Sequence, residues 1–109
     1  MQWSIHTTGN EVTIALVGEV DLSNEAALGV ALAAAIGRKP ERIVVDLAGV
    51  SYLDSSGVRC LLSVANVAAA AGSELVVSRP VGIVLRVLQI CGVDELLMRS
   101  TPGDRPEAQ

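Results

Sequence analysis

The apolar positions of the chain change period along its length, and each period predicts an element. Trp3 to Thr7 reads as a short strand. Thr8-Gly9-Asn10 is a turn, since Gly and Asn tolerate positive φ. Val12 to Val17 follows as a second strand, so the N-terminus is predicted to form a hairpin. Gly18-Glu19-Val20-Asp21-Leu22 leads out of that strand. Ser23 is then a good N-cap, and Glu25 sits in the first turn of a helix, where the dipole favours negative charge. Leu28, Leu32 and Ala35-Ile36 recur at helical spacing as its buried stripe. Gly37 and Pro40 end this helix near Ile36.

Arg42-Ile43-Val44-Val45-Asp46-Leu47 is an apolar run with β-branched residues, and it predicts a parallel strand covered on both faces. Ala48 to Leu53 reads as a connection. Asp54-Ser55-Ser56-Gly57 opens the next helix, with Val58, Leu61, Leu62, Ala65, Ala68 and Ala69 on its apolar face. Arg59, Ser63 and Asn66 lie on the other face, and Gly72 closes it. Glu74 to Val77 is another short strand. A last helix is predicted from Pro80, with Val84, Val87, Leu88 and Cys91 spaced for burial and Gly92 as its stop. Val93 to Met98 reads as a half-turn entering a short edge strand. The order β-β-α-β-α-β-α predicts an α/β fold. It would have a mostly parallel sheet of four to five strands, an N-terminal antiparallel hairpin, and helices packed on the sheet. The expected domain covers residues 1–100. Residues 101–109 carry two Pro, a Gly and mixed charge, and are expected to form a disordered tail.

Composition narrows the picture. Half of the 109 residues are hydrophobic, but there is one Trp, one Tyr and no Phe. The core must therefore be built from Val, Leu, Ile and Ala, and at this length it should form without disulfide or metal. Twelve acidic against eight basic residues give a net charge of −4, which argues against nucleic acid as a partner. The one basic cluster, Arg38-Lys39 with Arg42, falls where a helix should end and suits the negative end of its dipole. Cys60 and Cys91 are far apart, and both fall on apolar stretches of predicted helices, as reduced core thiols do. Met1-Gln2-Trp3-Ser4 has neither the basic residue nor the apolar run of a secretory signal. The longest apolar stretch, Ala26 to Ile36, is too short to span a bilayer. These features set an expectation of a cytoplasmic protein with no membrane partner.

Little in the chain suits catalysis. Its single histidine, His6, lies in the first strand, remote in sequence from the serines, and there is no GxSxG elbow. No cluster of His and Cys offers a zinc site, and no GxxxxGK[ST] or GxGxxG loop is present. Asp46 and Asp54 are the one conceivable acid/base pair, but Asp46 sits in a buried-looking strand near its C-terminal end and Asp54 suits a helix cap. No catalytic residue, metal ligand or cofactor is expected. Tyr52-Leu53-Asp54-Ser55-Ser56-Gly57 stands out instead. It follows a parallel strand and opens a helix, at the sheet end where functional groups gather in open α/β folds. From the residues alone two readings stand side by side. The Asp and Ser are good capping residues, and a serine here also lies among free N–H groups that stabilise an added phosphate.

Three segments in order resemble one family. Val44-Val45-Asp46-Leu47 followed by Tyr52-Leu53-Asp54-Ser55-Ser56-Gly57-Val58 looks like the signature of STAS domains in anti-sigma factor antagonists. Gly18-Glu19-Val20-Asp21-Leu22-Ser23 resembles the family's segment after the second strand, and Leu88 to Leu96 its helix-glycine-leucine ending. The likeness covers roughly residues 3 to 100. It implies a single STAS domain and a non-catalytic role. The partner it implies is an anti-sigma factor that is also an ATP-dependent serine kinase. Binding frees a sigma factor, the kinase phosphorylates the second serine of the motif, and a serine phosphatase reverses the mark. Carried over, Ser56 is the phosphoacceptor, and Asp21, Ser23, Asp54, Ser55, Ser56 and Gly57 face the partner. One position departs from the pattern: many members have Gly where this chain has Arg59. A cation in the first turns of a helix is unfavourable for the dipole. Arg59 is either a solvated face residue or a contact to the phosphate or the partner. The same resemblance implies an alternative, a stand-alone STAS scaffold subunit of a stress-signalling or lipid-transport complex. A scaffold does not need a phosphorylatable second serine, so the intact Asp-Ser-Ser-Gly favours the switch.

Overall fold

The computed structural model describes residues 1–92. Strand β1, Gln2–Thr8, and strand β2, Glu11–Val20, form the expected hairpin, with Trp3 opposite Leu16 and Ile5 opposite Ile14. A 3-10 turn, Leu22–Asn24, leads into helix α1, Glu25–Gly37. Strand β3 runs from Arg42 to Leu53 and helix α2 from Ser55 to Ala70. Strand β4, Glu74–Ser78, and helix α3, Ile83–Ile90, complete the described residues. The sheet has the order β1-β2-β3-β4; β1 is antiparallel to β2, and β2, β3 and β4 are parallel. The predicted piece at Val93 to Met98 and the predicted tail at 101–109 lie outside the described residues.

Strand order equals chain order, and that decides where the core sits. Right-handed crossovers that step across a sheet in one direction put all their helices on the same face. Val12, Ile14 and Leu16 of β2, Ile43, Val45 and Leu47 of β3, and Leu75 and Val77 of β4 line that face. They join one cluster with Leu28 and Leu32 of α1, Val58 and Leu61 of α2, and Val84 and Leu88 of α3. Burying each Leu, Ile or Val side chain contributes about 1.5–3 kcal/mol, which is the term that holds these elements together.

The expectation of a β3 covered on both faces is therefore corrected. Arg42, Val44 and Asp46 alternate with the core residues and point to the other face, and all three are only half-buried. That face holds the two ion pairs of the described residues. Arg42 meets its register partner Glu74 at 3.3 Å, and Asp46 is paired with Arg79. The guanidinium of Arg79 holds the Asp46 carboxyl below its ordinary value.

Other local expectations change too. Ala48 to Leu53 is not a connection but the second half of β3. The register with β2 slips between Ala15 and Val17 and again between Gly18 and Glu19, so β3 bulges as it passes. Gly49 sits at the first slip, where a Cβ would stand 3.0 Å from both the Leu16 carbonyl oxygen and Val17 Cγ2. Asp46 consequently lies mid-strand, not near its end. The last helix starts at Ile83, three residues after a buried Pro80. Val84 and Leu88 are buried as expected and Val87 is half-buried, but Cys91 is exposed, because it falls at the C-cap, past the last turn packed on the sheet. Cys60 is half-buried; burial, then the charge of Glu25, raises its thiol pKa.

Candidate functional site

Val20 and Leu53, the last residues of β2 and β3, are paired in register, and the Asp54 N–H donates to the Val20 carbonyl at 3.2 Å. The two strands therefore release their chains side by side. One continues through Asp21 into the 3-10 turn and α1, the other through Asp54 into α2. This pairing brings Asp21 and Ser23 to the same sheet end as Asp54, Ser55, Ser56 and Gly57.

Each loop is closed by its aspartate. Asp54 is the N-cap of α2 and its Oδ1 accepts from the Gly57 N–H at 3.1 Å. Asp54→Ala is expected to lower the stability of the fold by about 1 kcal/mol, read from urea melts. On the other loop the cap is Asp21 and not Ser23, as the sequence suggested. Asp21 Oδ1 accepts from both the Ser23 N–H and the Ser23 hydroxyl, while Asn24 Oδ1 accepts from the Asp21 N–H at 2.9 Å. The short turn Leu22–Asn24 intervenes before α1, so the capping geometry moves two residues upstream. The Ser23 hydroxyl bond, with weaker help from backbone N–H groups, keeps the Asp21 carboxyl below its usual range.

The two serines differ sharply. Ser55 is exposed, whereas Ser56 is only 8% exposed and its hydroxyl has no hydrogen-bond partner among the described residues. At about 100° per residue, Ser56 lies about 140° round α2 from buried Leu61. It thus lies in the first turn of α2 on the side away from Leu61. Gly57 lies deeper. A Cβ there would stand 2.5 Å from Leu53 Cδ1 and 2.9 Å from Val20 Cγ1, so the missing side chain is what lets α2 close onto the paired strand ends. Arg59 is exposed, and among the described residues it joins no ion pair.

The remaining candidates do not converge here. His6 is exposed on β1 opposite Thr13. Asp46 is held by Arg79 on the open face of the sheet, so it makes no pair with Asp54. No three His, Cys, Asp or Glu side chains among the described residues gather as metal ligands, and no described helix is long and apolar enough to cross a membrane. Two residues that sequence reasoning did not assign to the site do lie at this end: Leu22 is 67% exposed and Tyr52 is 41% exposed. One signal was available, since Tyr52 is one of only two aromatic residues in the chain.

Comparison with known proteins bears on this geometry. The family model described as "Mlab, STAS domain" matches residues 3–99. The chain belongs to the STAS family. A search of the curated proteins finds no match. Among solved structures, the STAS fold of this chain is similar to that of the anti-sigma factor antagonist SpoIIAA in its unphosphorylated form. The TM-score is 0.75 at 24% identity, covering 94% of this chain and 91% of that one. SpoIIAA of Bacillus in the phosphorylated form gives a TM-score of 0.67 at 23% identity, covering 94% and 95%. An anti-sigma factor antagonist from Mycobacterium paratuberculosis gives 0.75 at 22% identity, covering 98% and 92%. At these identities the likeness is one of fold.

Proposed function

We propose that this STAS domain is an anti-sigma factor antagonist: a non-catalytic binding switch for an anti-sigma factor with serine kinase activity, turned off by phosphorylation of Ser56. The observation that carries this reading is Ser56 itself. It is a buried hydroxyl without a protein partner among the described residues, at the N-terminus of a helix capped by Asp54, on the sheet end shared with Asp21. A helix start of this kind accommodates an added phosphate, because its N–H groups and dipole favour negative charge. The anti-sigma factor antagonists that share this fold support the partner class. Asp21, Ser23, Asp54, Ser55, Ser56, Gly57 and Arg59 form the partner face in this reading, with Leu22 and Tyr52 supplying exposed apolar area beside them.

The burial of Ser56 adds a step. The hydroxyl must be uncovered before a kinase reaches it. Because Ser56 stands in the first turn of α2, on the side away from Leu61, a local opening of the helix start suffices and the core face stays packed. A serine phosphatase returns the domain to its binding state. The experiment is incubation with the cognate kinase and ATP, followed by mass spectrometry. Ser56 is expected to carry the mark, and Ser55→Ala to keep it. Equal phosphorylation of Ser56→Ala sinks the assignment.

The same burial favours one second reading, a STAS scaffold subunit of a stress-signalling or lipid-transport complex, in which Ser56 only packs. In that case the mark is absent in the kinase experiment and the chain co-purifies with membranes.

A further inference from the structure

A phosphate on Ser56 would enter acidic surroundings. Asp54 lies two residues away and Asp21 caps the adjoining turn. Glu25, in the first turn of α1, is close enough to raise the thiol pKa of Cys60 on α2. Cations are scarce. β2, the 3-10 turn and α1 contain no Lys or Arg, and α2 contains one, Arg59. Arg79, after β4, is engaged by Asp46.

The placement of Arg59 is specific. It stands three residues after Ser56, the spacing at which helix side chains are neighbours on one face. Long side chains on a helix lean toward its N-terminus and cover the turn before their own Cα. The turn before Arg59 holds Ser55 and Ser56. Arg59 is exposed and in no ion pair among the described residues, so its guanidinium is available. In the unmodified domain a cation so near a helix N-terminus is mildly unfavourable, which leaves its presence unexplained by the fold.

We propose that Arg59 is a positioning residue for the switch, an internal counter-charge that folds back one turn and binds the phosphate oxygens of phosphorylated Ser56. This rests on Ser56 being the modified residue. A guanidinium matches phosphate with two parallel N–H donors, so the contact is directional as well as electrostatic. It holds the phosphate against α2, offsets the repulsion from Asp21, Glu25 and Asp54, and shields the ester from a phosphatase.

The test installs phosphoserine at position 56 during synthesis, so it needs no kinase and stands apart from the phosphorylation experiment. The phosphate is titrated by phosphorus NMR in the wild-type sequence and in the Arg59→Gln and Arg59→Lys variants. A bound guanidinium favours the dianion, so the second phosphate pKa is expected to lie about half a unit lower in the wild type than in Arg59→Gln. Arg59→Lys should recover part of the shift. Unmodified Arg59→Gln should melt at or slightly above the wild-type temperature, separating the effect from any loss of fold. Equal phosphate titration in the wild type and in Arg59→Gln overturns the proposal, and leaves the assignment of Ser56 untouched.

Discussion

Phosphorylation of Ser56 is expected to weaken partner binding at least about tenfold, or about 1.4 kcal/mol, while the backbone stays nearly unchanged. The modification adds roughly −1.5 to −2 charges at neutral pH. Within the domain that charge meets the free N–H groups of α2 and the cation at Arg59, so beyond the local opening at Ser56 the fold does not have to rearrange. At an interface the balance differs. The phosphate must be desolvated beside Asp21 and Asp54, and its bulk stands where the partner would close. Arg59 cancels part of the charge and none of the bulk. Ser56→Asp should imitate the effect only in part, since a carboxylate has less charge and fewer acceptor oxygens, and Ser56→Ala should bind constitutively. Titrating the kinase partner against both forms, and comparing their backbone amide NMR spectra, checks both halves. Equal affinities would defeat the electrostatic mechanism. Shifts spread across the whole sheet would defeat the local one.

Gly57→Ala is expected to destabilise the fold by about 1–2 kcal/mol, against the usual gain from alanine in a helix. Helix propensity alone favours Ala over Gly by about 0.8–1.0 kcal/mol in a helix interior. The new methyl, however, would sit 2.5 Å from Leu53 Cδ1 and 2.9 Å from Val20 Cγ1. Both neighbours are essentially fully buried, and the β-branched Val20 has little rotamer freedom to move aside. Overpacking of this kind costs typically about 1–3 kcal/mol, so the clash outweighs propensity. The site suffers with the fold, because the shift lifts the first turn of α2 away from the strand ends and carries Ser56 with it. Urea melts measure the loss. A second change that trims the obstructing side chain, Leu53→Val, should recover part of it in a double-mutant cycle. A Gly57→Ala protein as stable as the parent would mean that the helix start is looser than its contacts imply.

What could be read from the sequence follows from which residues carry a strong local signal. The hairpin was legible because Gly9 and Asn10 separate two runs of β-formers, and the structure turns there with Gly9 at φ +59°. The helix start at Ser55 was legible because Asp54-Ser55-Ser56-Gly57 is good capping chemistry. The second half of β3 was not, because its bulges break the two-residue alternation. Core positions run Ile43, Val45 and Leu47, then jump three residues to Val50 and again to Leu53. The one-sided sheet was also hidden. A run such as Ile43-Val44-Val45 looks equally apolar whether one face or two are covered, and only the strand order decides. In α1 the face was legible mainly from Leu28, Leu32 and Ile36, since the exposed positions Ala26, Ala27, Val30, Ala33 and Ala34 are apolar too. As for the site, the motif marked Ser56 but gave no sign of its burial. Burial is a product of tertiary structure, and the strand ends that meet beside this helix start, Val20 and Leu53, are 33 positions apart in sequence.

The sheet order β1-β2-β3-β4 bears on how the protein is made. A ribosome releases a chain from its N-terminus, and here each new strand docks beside the one released just before it. The hairpin of β1 and β2 comes out first, α1 and β3 next, and then the turn at Asp54 that starts α2. The contacts joining Val20, Leu53 and Gly57 involve nothing that is translated later. The sheet end that carries Asp21, Asp54 and Ser56 is therefore held by the portion of the polypeptide synthesised first, and β4 and α3 are laid onto a scaffold whose turn at Asp54 already has its partners.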